Sequence, residues 1–369
     1  MIPEVSIHLA SQEQHLSQIC VGYKLLENKG ILKIKEVKLC PELKKTYHFA
    51  PIMEVIINNK IIAYDLSDGY QNILKDSIFD NSISHVDLYY KRSYDINKHN
   101  NLINKSKIKP LGLNYQCSCK NNPFLEIDKS QDYKGIINYI RNKYYKIRAY
   151  QTFYSKIHYS VFEHNHHYKN YNLLFSCRLW DLNSISPESI QETYPYLDFQ
   201  EAKNEYDRII NETNLLNEQR IDIVRTLKKE FKNRFIGGIE YSNFSMKKCS
   251  DLVIPLSNSN KFSYMKHVHS NIIGISSVGL HQSIGWKFAE YVAASKAIIS
   301  DSLNYSLPGN FNRKKNYIEY SSTDDLITKA NDLLSDINQI HYIESNNRDY
   351  YEKYLRPDSL VYNTIKSLL

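Results

Sequence analysis

Short apolar runs alternate with longer amphipathic stretches along this chain, and the alternation predicts a succession of strands and helices. VSIHLA (5–10) reads as an opening strand. Leu16, Ile19, Leu25 and Leu26 then fall near helical spacing over 12–28, with Gly30 as the stop. MEVIINN, IIAYDLSDGY, VDLYYKRSY and KIKPLGLNY predict further strands, the second running into an acidic turn and the third into a basic pair. After the polar stretch QCSCKNNP (116–123) the pattern resumes with NLLFSCRLWD and a long helix over about 199–231. FIGGI, DLVIP, NIIGISS and AIIS predict four more strands, followed by NYIEY and the helix DDLITKANDLLSDI. Residues 347–369 close the chain as a helical region that Pro357 should break or kink. Strands alternating with helices predict an α/β protein with parallel sheets.

The stretch GLHQSIGWKFAEYVAASKAIISDSLNYSLPG (279–309) carries the most chemistry. A small apolar run leads into a Gly/Ser/His turn, and the backbone N–H groups around Ser283, Ile284 and Gly285 open a helix, a ready-made anion site. About two turns on, Glu290 offers a carboxylate able to accept both hydroxyl protons of a ribose diol. Phosphate at one end and a diol along the side point to a nucleotide or nucleotide sugar. The stretch resembles the donor-binding motif of GT-B glycosyltransferases, most closely the bacterial family-1-like enzymes of surface-polysaccharide clusters. Gln282 and Glu290 stand with seven residues between them, the spacing of two glutamates in the retaining branch. Gln282 occupies the position of the first glutamate, so inversion and retention both stay open.

The resemblance implies two Rossmann-like domains with parallel sheets facing a central cleft. Residues 1–118 would form the acceptor-side domain, with 347–369 packing back on it, and 119–346 the nucleotide-sugar donor domain. Arg178, just after the strand NLLFS, would stabilise the departing diphosphate without a metal; the alternative is a surface pair with Asp181. Lys261, Tyr264 and Lys266 would meet the base or phosphates, or else form an ordinary surface helix. His281 would bond the donor or move a proton, or simply satisfy the turn. Lys287 can point either way. Asn304, Tyr305, Pro308 and Gly309 resemble the loop that closes beside the donor.

Asp65 and Asp68 end a first-domain strand, where a carboxylate could serve as general base in an inverting transfer or cap a turn. Lys91 and Arg92 read mainly as a solvated strand end, and Arg220 and Arg225 as a solvated helix face. EHNHH (163–167) and Cys117/Cys119 lack the paired spacing of a structural zinc site and read as polar loop. No metal and no cofactor are expected.

Composition changes this picture little. Hydrophobic residues make up 42% and charged residues 24% of 369, enough for two cores. No run of eighteen apolar residues occurs, the start of the chain does not read as a signal peptide, and six scattered cysteines suggest no disulfide framework. A cytoplasmic protein is expected. Thirty-one tyrosines beside many Lys, Asn and Ile suggest A/T-rich coding in a low-GC bacterium or a large virus. The net charge of +7 favours anionic partners. The Tyr/Lys/Arg segment 133–159 reads as a helix that either packs on its domain, lies on an anionic membrane carrying a lipid-linked acceptor, or grips nucleic acid.

The expected activity is therefore transfer of a sugar from a nucleotide-sugar donor to a hydroxyl of a glycan or lipid-linked saccharide. Alternatives are a viral-type nucleic-acid base glycosyltransferase, a non-catalytic nucleotide-sugar or carbohydrate-binding module, and a sugar-nucleotide epimerase.

Overall fold

The computed structural model describes residues 2–49, 51–70, 75–125, 157–163, 170–183 and 185–369. The segment 133–159 therefore lies almost wholly outside the described residues, as do His164 to His167 of EHNHH.

The first sheet is built from β1 (Glu4–Leu9), β2 (Lys33–Leu39), β3 (Ile52–Ile57), β4 (Lys60–Asp65), β5 (Leu88–Lys91) and β6 (Ile108–Pro110), in the order β2-β1-β3-β4-β5-β6. Helices α1 (Ser17–Asn28), α2 (Glu42–Tyr47) and α3 (Asp76–Ser82) cover it. The alternation in β1 puts Val5, Ile7 and Leu9 in the core, whereas β3 is buried along nearly its whole length, as a central strand must be. The expectation of parallel sheets needs correcting here, because β3 runs antiparallel to both β1 and β4. Only Asn58 and Asn59 link β3 to β4, and both have positive φ (48° and 61°). A two-residue turn of that kind closes a hairpin and cannot carry a parallel crossover.

The second sheet contains β7 (Asn170–Cys177), β8 (Phe235–Ile239), β9 (Asn271–Ser276), β10 (Ala297–Ser300) and β11 (Ile318–Glu319), in the order β11-β10-β9-β7-β8 with every pair parallel. Its helices are α4 (Pro187–Thr193), α5 (Phe199–Phe231), α6 (Asn243–Cys249), α7 (Lys261–Ser270), α8 (Trp286–Ala293) and α9 (Thr323–Ser335). The strand after β7 lies on one side of it and the next on the other, so chain order reverses at the β7/β9 junction. Open α/β sheets bind ligands outside the carboxyl ends of their strands at such a point. DLVIP is not a strand. It contributes one bridge, Val253 to Ile239 at the last residue of β8, and Pro255 has no N–H with which to extend a ladder.

The closing helical region starts earlier than 347. Helix α10 (Ile337–Tyr350) runs into a wide turn over Tyr351–Leu355, and α11 (Pro357–Ile365) follows with Pro357 in its first turn. α11 lies against α1 of the first sheet, where Gly22 makes the close approach possible. A Cβ at Gly22 would sit 2.2 Å from the Pro357 carbonyl oxygen and 2.4 Å from Val361 Cγ2. The hydroxyls of Tyr23, Tyr64 and Thr364 bond in a buried chain (2.7 and 2.6 Å) that ties the end of the polypeptide to the first core.

Candidate functional site

A cavity of about 740 Å³ opens at the carboxyl ends of β7, β8 and β9, at the switch point of the second sheet and facing loops of the first. Arg178 and Trp180 follow β7, Glu240 follows β8, Ser276 ends β9, and Ser277, Gly279 to His281 and Ser283 follow it. Five cationic side chains line it, Arg92, Arg178, Arg220, Lys261 and Lys287, against two carboxylates, Asp68 and Glu240. The lining therefore carries an excess of positive side chains.

Each cation is held differently. Arg178 is exposed on the wall, its guanidinium over the Trp180 ring at 4.2 Å, and it makes no ion pair among the described residues. Arg220 is buried beneath it and donates to the carbonyls of Arg178 (2.8 Å) and Val278 (3.4 Å). The sequence reading of Arg220 as a solvated residue is thus overturned; Arg225, on the other face of α5, is exposed. Lys287, in the first turn of α8, turns inward and donates to Ser176 O (2.7 Å) and Glu240 Oε1 (2.5 Å). Burial pushes Glu240 up, but Lys287, Arg178 and Lys261 together hold it below the usual carboxylate range.

Glu290 is completely buried and does not line the cavity. Its Oε1 pairs with Lys261 Nζ, which does line it, while Oε2 has no hydrogen-bond partner among the described residues. Burial lowers the Lys261 pKa, and Glu290 opposes that shift. Glu290, expected to face a ribose, is thus set behind the cavity wall and reaches it only through Lys261. Tyr264 forms the floor beside them, while Lys266 faces solvent over Phe262 (5.3 Å) and stays out of the site.

The turn ahead of α8 is held from several sides. His281 and Gln282 have φ of 56° and 58°, the left-handed region that non-glycine residues seldom adopt. The His281 N–H donates to Glu212 Oε1 (2.6 Å), and the Tyr305 hydroxyl donates to the His281 carbonyl (2.6 Å). Gln282 points away from the cavity and accepts from Asn304 (3.1 Å). Ser283 and Gly285 line the cavity at the start of α8, whereas the Ile284 side chain is buried behind them. Pro308 packs near Gly112 and Gly309 near Tyr354, behind the closing loop.

Loops of the first sheet complete the site. Arg92 spans the cleft, donating to Asp68 Oδ1 (2.6 Å) and to the Ile284 carbonyl (2.5 Å), and Trp286 Nε1 donates to Asn114 (3.0 Å). His15 packs on Trp286 with ring centroids 4.6 Å apart. Burial, then the nearby Arg92, pulls the His15 pKa down to about 4, so the ring is neutral near pH 7. Asp65 proves to be a structural carboxylate. It is buried, accepts from Lys91 (2.6 Å), Tyr89 (2.7 Å) and Ser67 N–H (2.8 Å), and does not line the cavity. Lys91, read as a solvated strand end, is buried as its partner. Asp68 is the carboxylate that faces the cavity.

Sequence reasoning missed His15, Trp180, Glu240 and Trp286. Glu240 and Trp180 had a usable signal, since each lies just past a strand that the pattern identifies. His15 and Trp286 had none, because they meet only across the cleft. Cys117 and Cys119 are buried core thiols, and burial pushes Cys117 up. Among the described residues no group of three or more His, Cys, Asp and Glu is placed to hold a metal, and no helix is long and apolar enough to cross a membrane.

No protein-family model and no curated protein matches this chain. Among solved structures, it is similar to Anabaena HepE in complex with UDP and glucose, at 9% identity over 98% of each chain and a TM-score of 0.41. It is also similar to the C-terminal domain of the group 1 family glycosyl transferase LpcC from Francisella tularensis, at 12% identity over 53% of this chain and 95% of that one, with a TM-score of 0.32. TarM shares 14% identity over 85% of this chain and 63% of its own, with a TM-score of 0.34. Overlaps this loose leave the functional argument to the cavity itself.

Proposed function

We propose that the chain is a GT-B-type glycosyltransferase that holds a nucleotide sugar in this cavity and passes the sugar to a hydroxyl of a glycan or lipid-linked saccharide. The observation that carries the reading is the guanidinium of Arg178, which pairs with no carboxylate among the described residues and lies on the same wall as the opening of α8, at the switch point of a parallel sheet. When the bond from the sugar to the diphosphate breaks, negative charge grows on the leaving oxygens. Arg178 and the first N–H groups of α8 would face those oxygens from the cavity wall, with Lys287 beside them on Glu240, so stabilisation would cost little reorganisation. Together they would supply the positive charge that such a step requires. Base and ribose would lie toward Glu240, Lys261 and Tyr264, with Lys261 moving off Glu290 to admit the diol.

The acceptor would enter from the first-sheet side, past His15, Asp68 and Gln116. If transfer inverts the anomeric centre, Asp68 is the carboxylate placed to take the acceptor proton, with neutral His15 beside it. The test is a panel of nucleotide sugars incubated with and without saccharide acceptors, read by release of nucleoside diphosphate. Acceptor-dependent release supports transfer. Conversion of the donor to an isomer without acceptor would indicate an epimerase, and binding without turnover a binding module.

A further inference from the structure

We infer that Arg208, which lies behind the cavity wall on α5, is a positioning residue that fixes His281 as the Nε2–H tautomer and so presents a neutral N–H donor to the anionic part of the donor substrate. The second half rests on the nucleotide-sugar reading; the first does not. Glu205, Arg208 and Glu212 fall on one face of α5. Arg208 is clamped by Glu205 through two hydrogen bonds (2.8 and 2.6 Å) and by Glu212 through a third (2.9 Å). Its remaining reach places Nη2 3.2 Å from His281 Nδ1. A guanidinium has donors only, so Nδ1 must accept and carries no proton. The neutral ring then holds its proton on Nε2, the nitrogen left to whatever occupies the cavity that His281 lines.

The loop that carries the ring is held in place. Its backbone sits in a left-handed conformation fixed at the N–H by Glu212 and at the carbonyl by Tyr305. Gly69 closes on the other side, where even a Cβ would lie 2.3 Å from that of His281. The charged groups facing the imidazole are Arg208 on one hand and Glu212, Glu205 and Asp68 on the other. Burial and then Arg208 depress its pKa, while the three carboxylates act in the opposite sense. Arg208 thus sets which nitrogen is protonated, and it adds to burial in disfavouring a second proton.

The test uses full-length protein with ¹⁵N-labelled imidazoles, His281 being assigned from the spectrum of His281→Gln. In ligand-free wild type, His281 should show a protonated Nε2 and a bare Nδ1, and Arg208→Lys, which retains a donor, should keep that pattern. Arg208→Met should show a mixed or Nδ1–H ring that titrates at higher pH, with nucleoside diphosphate affinity about tenfold weaker, the size of one hydrogen bond. A wild-type ring protonated on Nδ1, or an Arg208→Met ring with unchanged tautomer and titration, would overturn the inference. If the wild-type tautomer is as stated but no nucleoside diphosphate binds, the positioning role stands and the donor reading fails.

Discussion

Replacing Arg178 with alanine removes the one cavity cation whose guanidinium makes neither an ion pair nor a hydrogen bond among the described residues. Its guanidinium is exposed, stacks on Trp180 and holds no carboxylate, so its loss leaves no buried partner unsatisfied. Stability should change little. A charge-assisted hydrogen bond to a diphosphate contributes about 1.5–3 kcal/mol, which corresponds to roughly 10- to 150-fold in affinity. Isothermal titration of the cognate nucleoside diphosphate should show that loss in Arg178→Ala, whereas the parent nucleoside, lacking phosphate, should bind both proteins equally. Arg220→Ala would be a poorer probe, because it orphans two carbonyls and disturbs the wall. A loss below about threefold, or an equal loss for the nucleoside, would refute the placement of the diphosphate at Arg178.

Other outcomes follow from the same geometry. Glu290→Ala should weaken a nucleotide about tenfold yet leave the ribose-free diphosphate unaffected, and Lys261→Met should show whether the lysine guards or assists that carboxylate; equal affinity in Glu290→Ala would end the ribose assignment. Gly69→Ala places a methyl against His281 at a φ of 63°. It should cost about 1–2 kcal/mol in backbone strain alone and lower donor affinity by holding the cleft open, as calorimetry and titration would show. His15 has a folded pKa of about 4, well below its ordinary value. Between those values the unfolded chain binds the extra proton, so stability is lost as pH falls from about 6.5 toward 4, by up to about 3 kcal/mol. His15→Asn should flatten that acid limb in denaturant unfolding; an unchanged limb would show that His15 is not its source.

The second sheet was legible almost strand by strand, because buried parallel strands such as NIIGIS and AIIS are nearly continuous apolar runs bounded by polar residues. The first sheet was legible in its elements but not in its directions. Asn58 and Asn59 were absorbed into a strand, although adjacent asparagines tolerate the positive φ that a hairpin requires, and that turn reverses β3. In the site, the residues that end a recognisable strand or open a recognisable helix are legible: Arg178, Lys261, His281, Ser283 and Gly285 do meet at one cavity. Depth is what the local pattern does not report. Asp65 and Glu290 carry the right chemistry at plausible positions, but each is satisfied or covered by a lysine from another element, and single-sequence spacing does not report such long-range pairs. His15 and Trp286, 271 positions apart in sequence, become neighbours only when the two sheets face each other.

The central claim is that the switch-point cavity is a nucleotide-sugar site. The most direct measurement is thermal unfolding of the wild type and of Arg178→Ala against a panel of nucleoside diphosphates and their sugars. The account predicts that at least one base gives a saturable rise in Tm with wild type, and that the rise is much reduced in Arg178→Ala. No shift from any member at millimolar concentration, or an equal shift in both proteins, would contradict it.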